Sequence, residues 1–155
     1  MSAPESLEKL VGQWRGTGTL FQPWTTPAES KYESTVTVSL AALGKFITIA
    51  YKWAEGEKPQ EGLLLLGCEN KNEEVSCTWI DSWHMSDKTM VSRGKIDCDG
   101  VITLVGSYEA PPGPDWGWRT VIVPVSDDSF KILMYNITPD GEETIAVENR
   151  YSRAG

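Results

Sequence analysis

The sequence predicts an all-β protein, an antiparallel up-and-down barrel of about ten strands with a short N-terminal helix. Between Trp14 and Tyr151, apolar and polar residues alternate, as in strands that bury one face and expose the other. Groups of Gly, Pro, Asn or Asp interrupt this alternation at short intervals, which indicates turns between neighbouring strands. Closing such a sheet into a barrel removes its unpaired edges, although a sandwich is an alternative.

Only the first residues of the chain have a helical pattern. Ser2 or Ser6 could cap a turn that contains Leu7 and Leu10, and Gly12 would end it. Such a turn could close one end of the barrel. The strands are expected at residues 13–21, 31–40, 45–53, 61–69, 75–83, 89–97, 101–108, 117–124, 129–137 and 143–151.

Two connections between the predicted strands are longer than the others. They span residues 22–30 and 110–116, and both contain several prolines. Binding residues are often carried on loops that a rigid scaffold positions. These two segments are therefore candidates for the rim of a binding site.

The chain of 155 residues fits one domain, residues 1–155, and carries 14 Lys and Arg against 22 Asp and Glu, a formal charge of −8. The sequence has no cluster of Lys and Arg that could bind a row of phosphate groups, so neither nucleic acid nor an anionic membrane is an expected partner. The start has no basic segment before an apolar stretch, and no segment approaches the ~18 apolar residues of a membrane span. We therefore expect a cytoplasmic protein, and the sequence leaves its oligomeric state open.

Cysteine and histidine contents argue against the common metal and redox sites. Cys68, Cys77 and Cys98 are an odd number and lack CxxC spacing, which argues against a disulfide framework and a zinc knuckle. The single histidine, His84, cannot form a His-rich zinc centre. No metal site and no cofactor are expected. The unusual feature of the composition is its 7 Trp, 5 Tyr and 3 Phe, which suggest that something broad and flat is enclosed.

The first predicted strand reads GQWRGTG from Gly12 to Gly18, so two glycines follow Trp14 on its own face. Inward-facing glycines let a neighbouring backbone or ring approach closely and permit the coiling that barrel closure needs. The segment resembles the Gly-x-Trp opening of the calycin superfamily, in which the Trp closes the base of the barrel and an Arg near the chain end often packs across it. The resemblance implies that Arg150 or Arg153 stacks on Trp14.

Six segments of the chain indicate a particular family within the superfamily. In their order and spacing they resemble the DUF1579 family, which is of unassigned function, over nearly the whole chain. The resemblance implies a calycin-like (lipocalin-like) barrel with a central cavity, and it implies no activity. Nitrobindin-like barrels share the opening strand but use a His late in the chain, where this sequence has none, so haem is not expected. The matching segments are residues 10–18, 61–67, 79–82, Arg119, 134–135 and 151–153.

The strand expected at 75–83 carries the most distinctive group of side chains. Its alternation would place Trp79, Asp81 and Trp83 on one face, with His84 on the other. A carboxylate between two indoles is costly to bury unless it is paired or protonated. Asp81 would bind a ligand, act as a general acid or base, or take a structural role by accepting an indole or backbone N–H or pairing with Arg119. For His84, at the end of this strand, a surface position is the commoner outcome.

A second group follows the second proline loop. Trp116, Trp118 and Arg119 would form an aromatic clamp with an anion-binding fork, suited to a carboxylate or enol ligand. Equally, this segment could be a barrel corner in which Arg119 pairs with Asp81 or Glu148.

These side chains favour a small-molecule binding protein that holds a partly apolar, aromatic or acyl ligand in the barrel lumen. The alternative is a cofactor-free isomerase, cyclase or lyase, in which the enclosed Asp81 would be the catalytic residue for proton transfer. A third hypothesis is a barrel filled by its own side chains that acts through its outer surface. The candidate ligand-binding residues are Trp79, Asp81, Trp83, His84, Trp118 and Arg119.

Overall fold

The computed structural model describes residues 3–69 and 74–154, and in this part the chain forms a closed antiparallel barrel of ten strands with one short helix. Each strand pairs with its neighbours in the chain, and the last strand pairs with the first. The predicted up-and-down barrel is confirmed, and the sandwich alternative is wrong. The elements are α1 (Glu5–Glu8), β1 (Gly12–Phe21), β2 (Glu29–Ala41), β3 (Phe46–Glu55), β4 (Lys58–Glu69), β5 (Glu74–Asp81), β6 (Met90–Ile96), β7 (Ile102–Tyr108), β8 (Trp116–Ser126), β9 (Ser129–Ile137) and β10 (Glu143–Arg153).

All ten predicted strands are present, although several boundaries are shifted, most at β4, which begins at Lys58 rather than at residue 61. Two differences bear on the ends of the barrel. The helix begins after Pro4 without a side-chain cap and ends at Glu8, so Ser6 does not cap it and it stops before Gly12. The other proposed cap, Ser2, lies outside the described residues. The fifth strand ends at Asp81 rather than at residue 83, and this difference determines the geometry of the candidate site.

The two ends of the barrel differ. Because successive strands are antiparallel, the loops at residues 22–28, 56–57, 82–89, 109–115 and 138–142 share one end, which we call the open end. The two long connections with several prolines, which were predicted to form the rim of a site, both lie there. Helix α1 and the last residues of β10 lie at the other end, which we call the closed end.

Aromatic and aliphatic side chains fill the closed end. The indole of Trp14 is 1 % exposed, packs edge-on against Phe130 at a centroid distance of 4.7 Å, and donates its Nε1–H to the carbonyl of Leu10 at 2.8 Å. Phe130 in turn stacks on Tyr151, and Leu7 of α1 is fully buried. The helix therefore closes this end of the barrel, as the sequence predicted.

Arg153 covers the closed end from outside. Its guanidinium lies 4.3 Å from the centroid of the Trp14 ring and donates hydrogen bonds to the carbonyls of Lys9, Val11 and Asp127. Of the two arginines that the resemblance left open, Arg153 is thus the one that stacks on Trp14. It connects the segment after α1, the β8–β9 turn and β10 through one planar group.

The inward-facing glycines of β1 allow the close approaches that the sequence predicted. A Cβ at Gly16 would collide with the backbone carbonyl of Arg150 on the paired strand β10. A Cβ at Gly18 would collide with the Tyr32 ring, which lies across β1 to reach Asn149. Glycine therefore lets the paired backbone approach closely at Gly16 and lets an aromatic ring lie directly above the backbone at Gly18.

We expect Arg153→Met to lower the free energy of unfolding by about 2 kcal/mol, because it removes the cation–π contact and leaves three carbonyls without their donor. Urea denaturation followed by circular dichroism measures the change. The matched control is Arg150→Met, whose side chain is 65 % exposed and pairs with Glu148 on the outer face. It should cost less than about 1 kcal/mol. Equal losses in the two variants would contradict the role assigned to Arg153.

Candidate functional site

The chain turns sharply after β5 because the Asp81 carboxylate holds the next residues. Its Oδ1 accepts hydrogen bonds from the backbone N–H groups of Trp83 and His84, both at 2.8 Å, and its backbone carbonyl accepts the N–H of Met85 at 3.1 Å. This is an Asp-initiated turn of the kind that competes with strand pairing. His84 therefore lies on the same side as Trp79 and Trp83, and the predicted placement on the opposite face is wrong.

The second oxygen of Asp81 is bound inside the barrel. Tyr51 donates its hydroxyl to Oδ2 at 2.5 Å and accepts the Nε1–H of Trp79 at 2.8 Å. Strand β4 runs between them, and the residue in register with both Tyr51 and Asp81 is Gly62. A Cβ at Gly62 would collide with the Tyr51 hydroxyl. Because Gly62 has no side chain, the Tyr51 hydroxyl can reach across β4 to the Asp81 carboxylate.

Asp81 is 2 % exposed, and its three donors compensate for the loss of hydration. Burial, followed by the neighbouring Asp81 carboxylate, raises the pKa of Tyr51 well above its ordinary value. The Tyr51 hydroxyl is therefore protonated and acts as the donor. Of the roles that the sequence left open for Asp81, the acceptor of backbone N–H groups is the one that the geometry shows.

Arg119 lies away from this carboxylate. It neighbours the inward-facing Trp118 on β8 and so points outward, where it donates to Glu143 at 2.6 Å and stacks over the Tyr135 ring at 4.6 Å. The pairing with Asp81 or Glu148 is wrong, because the β8–β9–β10 register brings Glu143 beside it instead. Arg119 is therefore no part of the enclosed site.

The imidazole of His84 is surrounded by indoles. Ring centroids lie 4.7 Å from Trp83, 5.6 Å from Trp79, 5.6 Å from Trp118 and 5.9 Å from Trp53. In the described chain, neither ring nitrogen has a hydrogen-bond partner. Burial lowers the pKa of His84, and the charge of Asp81 only partly opposes this effect. The expected surface position is wrong, since the ring is half-buried and uncharged at neutral pH.

A cavity of about 290 Å³ opens beside this ring at the open end of the barrel. Trp79 and Trp118 stack at a centroid distance of 5.4 Å with planes 17° apart. Lys88 and Glu109 form an exposed ion pair at 3.7 Å on its rim. We call this space the aromatic cavity; the aromatic and apolar side chains that line it include Trp79, Trp83, His84, Met90, Tyr108 and Trp118.

The interior below His84 is nearly filled. The space lined by Tyr32, Tyr51, Trp53 and His84 amounts to about 10 Å³, roughly the room that one water molecule needs. Tyr32 donates to Asn149 at 2.5 Å across this region. The ligand-sized lumen implied by the resemblance is therefore wrong, and the ligand-sized space lies at the mouth.

The sequence analysis missed Tyr51, Trp53 and Gly62. Tyr51 and Trp53 continue the inward alternation of Ile47 and Ile49 on β3, so their burial could have been predicted from that pattern. The role of Gly62 depends on strand register, which the sequence alone does not reveal.

Comparisons with known proteins agree on the fold. A model of the DUF1579 family, described as a protein of unknown function, matches residues 2–153. The crystal structure of Rv2717c from M. tuberculosis superposes with a TM-score of 0.67 at 16 % identity, covering 99 % of this chain and 100 % of that one. The S-type phycobiliprotein lyase CPES from Guillardia theta superposes with a TM-score of 0.66 at 14 % identity, covering 100 % of this chain and 94 % of that one. No curated protein sequence matches the chain.

Two features are absent from residues 3–69 and 74–154. No helix there is long and apolar enough to span a membrane. No three His, Cys, Asp or Glu side chains of these ranges are grouped so that they could hold a metal ion. The thiol of Cys77 is buried, and burial raises its pKa to about 12.

We expect Tyr51→Phe to lower the free energy of unfolding by about 2–4 kcal/mol, because it leaves Asp81 Oδ2 and Trp79 Nε1 buried without a partner. The control is Tyr108→Phe, which removes the hydrogen bond to the half-buried Asn136 at 2.6 Å. There water can replace the lost partner, so the cost should stay below about 1 kcal/mol. Urea denaturation of both variants makes the comparison, and equal costs would contradict the assigned network.

The single histidine allows a direct test of the site's electrostatics. We expect the imidazole proton resonances in NMR to titrate with a midpoint below the ordinary value of about 6.5 in the folded chain and near it in urea. Because the folded pKa is lowered, the unfolded chain binds the extra proton, so stability is full above pH ~6.5 and falls as the pH decreases. A folded midpoint at or above that of the unfolded chain would show that His84 is not desolvated.

Proposed function

The chain belongs to the DUF1579 family, whose function is unassigned, and we propose that it is a small-molecule binding protein that holds a flat, partly apolar, aromatic ligand in the aromatic cavity. The observation that carries the proposal is the concentration of indoles around an open space of about 290 Å³. That volume is just below the range of about 300–1,000 Å³ for small-molecule pockets. The expected ligand therefore has one or two fused rings.

The shape of the free space favours an aromatic ligand over an acyl chain. A long acyl chain would need a channel into the barrel, but the space beneath His84 is about 10 Å³. A flat ring can instead pack against the faces and edges of Trp79, Trp83 and Trp118 at the open end of the barrel. Stacked or edge-to-face aromatic pairs contribute about 0.5–1.5 kcal/mol beyond the area that they bury.

Each site residue has a distinct role in this proposal. Trp79, Trp83 and Trp118 form the walls, and His84 supplies a polar edge within them. Asp81 acts through the turn and not by touching the ligand, because its oxygens are occupied by Tyr51 and two backbone N–H groups. It is a positioning residue for His84.

The alternative enzyme receives less support from this geometry. A general base needs a free lone pair within reach of the substrate proton, whereas three donors already bind the Asp81 carboxylate. One of the structurally similar proteins is a lyase, but at 14 % identity that likeness concerns the fold alone.

A role for the outer surface also receives less support. A groove of about 600 Å³ crosses the outer face of the sheet. Its lining is mostly polar and aliphatic, with Thr35, Thr37 and Lys52 among the residues, and its aromatic member is Tyr51, whose hydroxyl already binds Asp81. Such a surface lacks the cluster of aromatic anchors that dominates binding energy in many recognition sites.

Native mass spectrometry of the protein purified from its own host tests the proposal. We expect the wild-type chain to carry a small molecule, and we expect Trp83→Ala to lower its occupancy about tenfold, which corresponds to the loss of about 1.4 kcal/mol of contact. The matched control is Trp24→Ala, which removes an indole that is 73 % exposed and outside the cavity. A wild-type chain without a bound molecule, or equal loading of the two variants, would refute the proposed function.

A further inference from the structure

Two side chains of the aromatic cavity carry polar atoms without a partner. Trp118 is 5 % exposed, and its buried Nε1–H has no acceptor in the described chain. The ring nitrogens of His84 also form no hydrogen bond within the described residues, but they are not enclosed as Trp118 Nε1 is. Two other inward-facing indoles have a partner, since Trp14 donates to Leu10 and Trp79 donates to Tyr51.

An unsatisfied buried donor costs about 1–3 kcal/mol, and most buried polar groups in native proteins are satisfied. Three buried side-chain atoms of the described residues have no partner, Ser6 Oγ, Trp118 Nε1 and Arg119 Nε, and of these only Trp118 belongs to a residue that lines the aromatic cavity. Its position there points to an acceptor that the chain itself does not supply. A bound molecule that carries this acceptor would recover the free energy. The position of Trp118 in the wall of the cavity makes a ligand the natural source.

Trp118 and His84 are close enough to serve one small ligand. Their ring centroids are 5.6 Å apart with planes tilted by 55°, and both side chains line the same cavity. Two neighbouring polar atoms on one edge of a ligand ring can therefore form hydrogen bonds with both side chains.

The donor and acceptor requirements follow from the two side chains. An indole N–H is a donor only, so Trp118 requires an acceptor on the ligand. A neutral imidazole offers one N–H and one acceptor nitrogen. Since burial lowers the pKa of His84, its acceptor nitrogen is available at neutral pH. The ligand therefore complements the pair with one acceptor and one N–H or O–H donor.

The charges around the cavity favour an uncharged ligand. Lys88 and Glu109 on the rim neutralise each other at 3.7 Å. Asp81, the acid behind His84, already has its three donors. Within the described lining, no unpaired charge is left to compensate an ionised ligand.

We propose that the ligand is an uncharged fused heteroaromatic compound with an adjacent donor and acceptor on one edge, as in a lactam, where the N–H binds His84 and the carbonyl oxygen binds Trp118 Nε1. This inference rests on the proposed function. It adds the chemical class of the ligand and its orientation.

A series of three probes tests the inference with the intact wild-type chain. The lactam 2-quinolinone offers both groups, N-methyl-2-quinolinone keeps the carbonyl but lacks the donor, and naphthalene lacks both. Isothermal titration calorimetry at pH 7.5 measures the affinities. We expect 2-quinolinone to bind about tenfold more tightly than its N-methyl derivative, and naphthalene to bind most weakly, since one hydrogen bond changes affinity by about three- to tenfold.

Ring-preserving variants assign each hydrogen bond. In His84→Phe, we expect the advantage of 2-quinolinone over the N-methyl compound to disappear. In Trp118→Phe, both quinolinones should lose about three- to tenfold in affinity, while naphthalene changes less. The matched control, Trp24→Phe, should leave all affinities unchanged. Circular dichroism verifies that each variant folds, and the wild-type probe series tests the inference without any substitution.

The outcomes separate the inference from the proposed function. Equal binding of 2-quinolinone and naphthalene to the wild-type chain would overturn the inference while leaving an aromatic binding site in place. A preserved 2-quinolinone advantage in a folded His84→Phe chain would also overturn it. Failure of all three probes to bind would overturn both the inference and the proposed function.

Discussion

The hydrogen bonds of the Asp81 carboxylate determine where β5 ends and what lies over the open end of the barrel. A regular strand would carry residues 83 and 84 onward on opposite faces. Instead, Oδ1 holds the N–H groups of Trp83 and His84 at 2.8 Å, and the chain folds back. Tyr51 secures the other oxygen through the gap at Gly62. The aromatic cavity exists because this one carboxylate organises both the turn and the strand beneath it.

The barrel could be predicted from sequence, whereas the turn at its mouth could not. Alternation and turn residues are local signals, so ten strands and their order follow from them. The segment from Trp79 to His84 also alternates, and nothing in the pattern shows that Asp81 captures two backbone N–H groups. Arg119 shows the same limit: its outward direction follows from its neighbour Trp118, but its partner Glu143 depends on the register of three strands.

The number of strands does not explain why the middle of this barrel is filled. Barrel diameter grows with the number of strands, but the free volume depends on the side chains that point inward. Here the rings of Tyr32, Tyr51 and Trp53 occupy the middle of the barrel, and Gly18 and Gly62 make room for two of them. The glycines therefore allow tight internal packing, the close approach that the sequence predicted for Gly18. The free space is consequently displaced to the mouth.

The contrast between the middle and the mouth of the barrel indicates where a ligand belongs. In the middle, the hydroxyls of Tyr32 and Tyr51 each have a partner at 2.5 Å. At the mouth, the Nε1 of Trp118, which is 5 % exposed, has none. A cost of about 1–3 kcal/mol for one donor is substantial against a total stability of about 5–15 kcal/mol. The other two buried side-chain atoms without a partner in the described residues, Ser6 Oγ and Arg119 Nε, belong to residues outside the aromatic cavity. An unsatisfied donor beside an open aromatic space is most simply explained by an acceptor that arrives with the ligand.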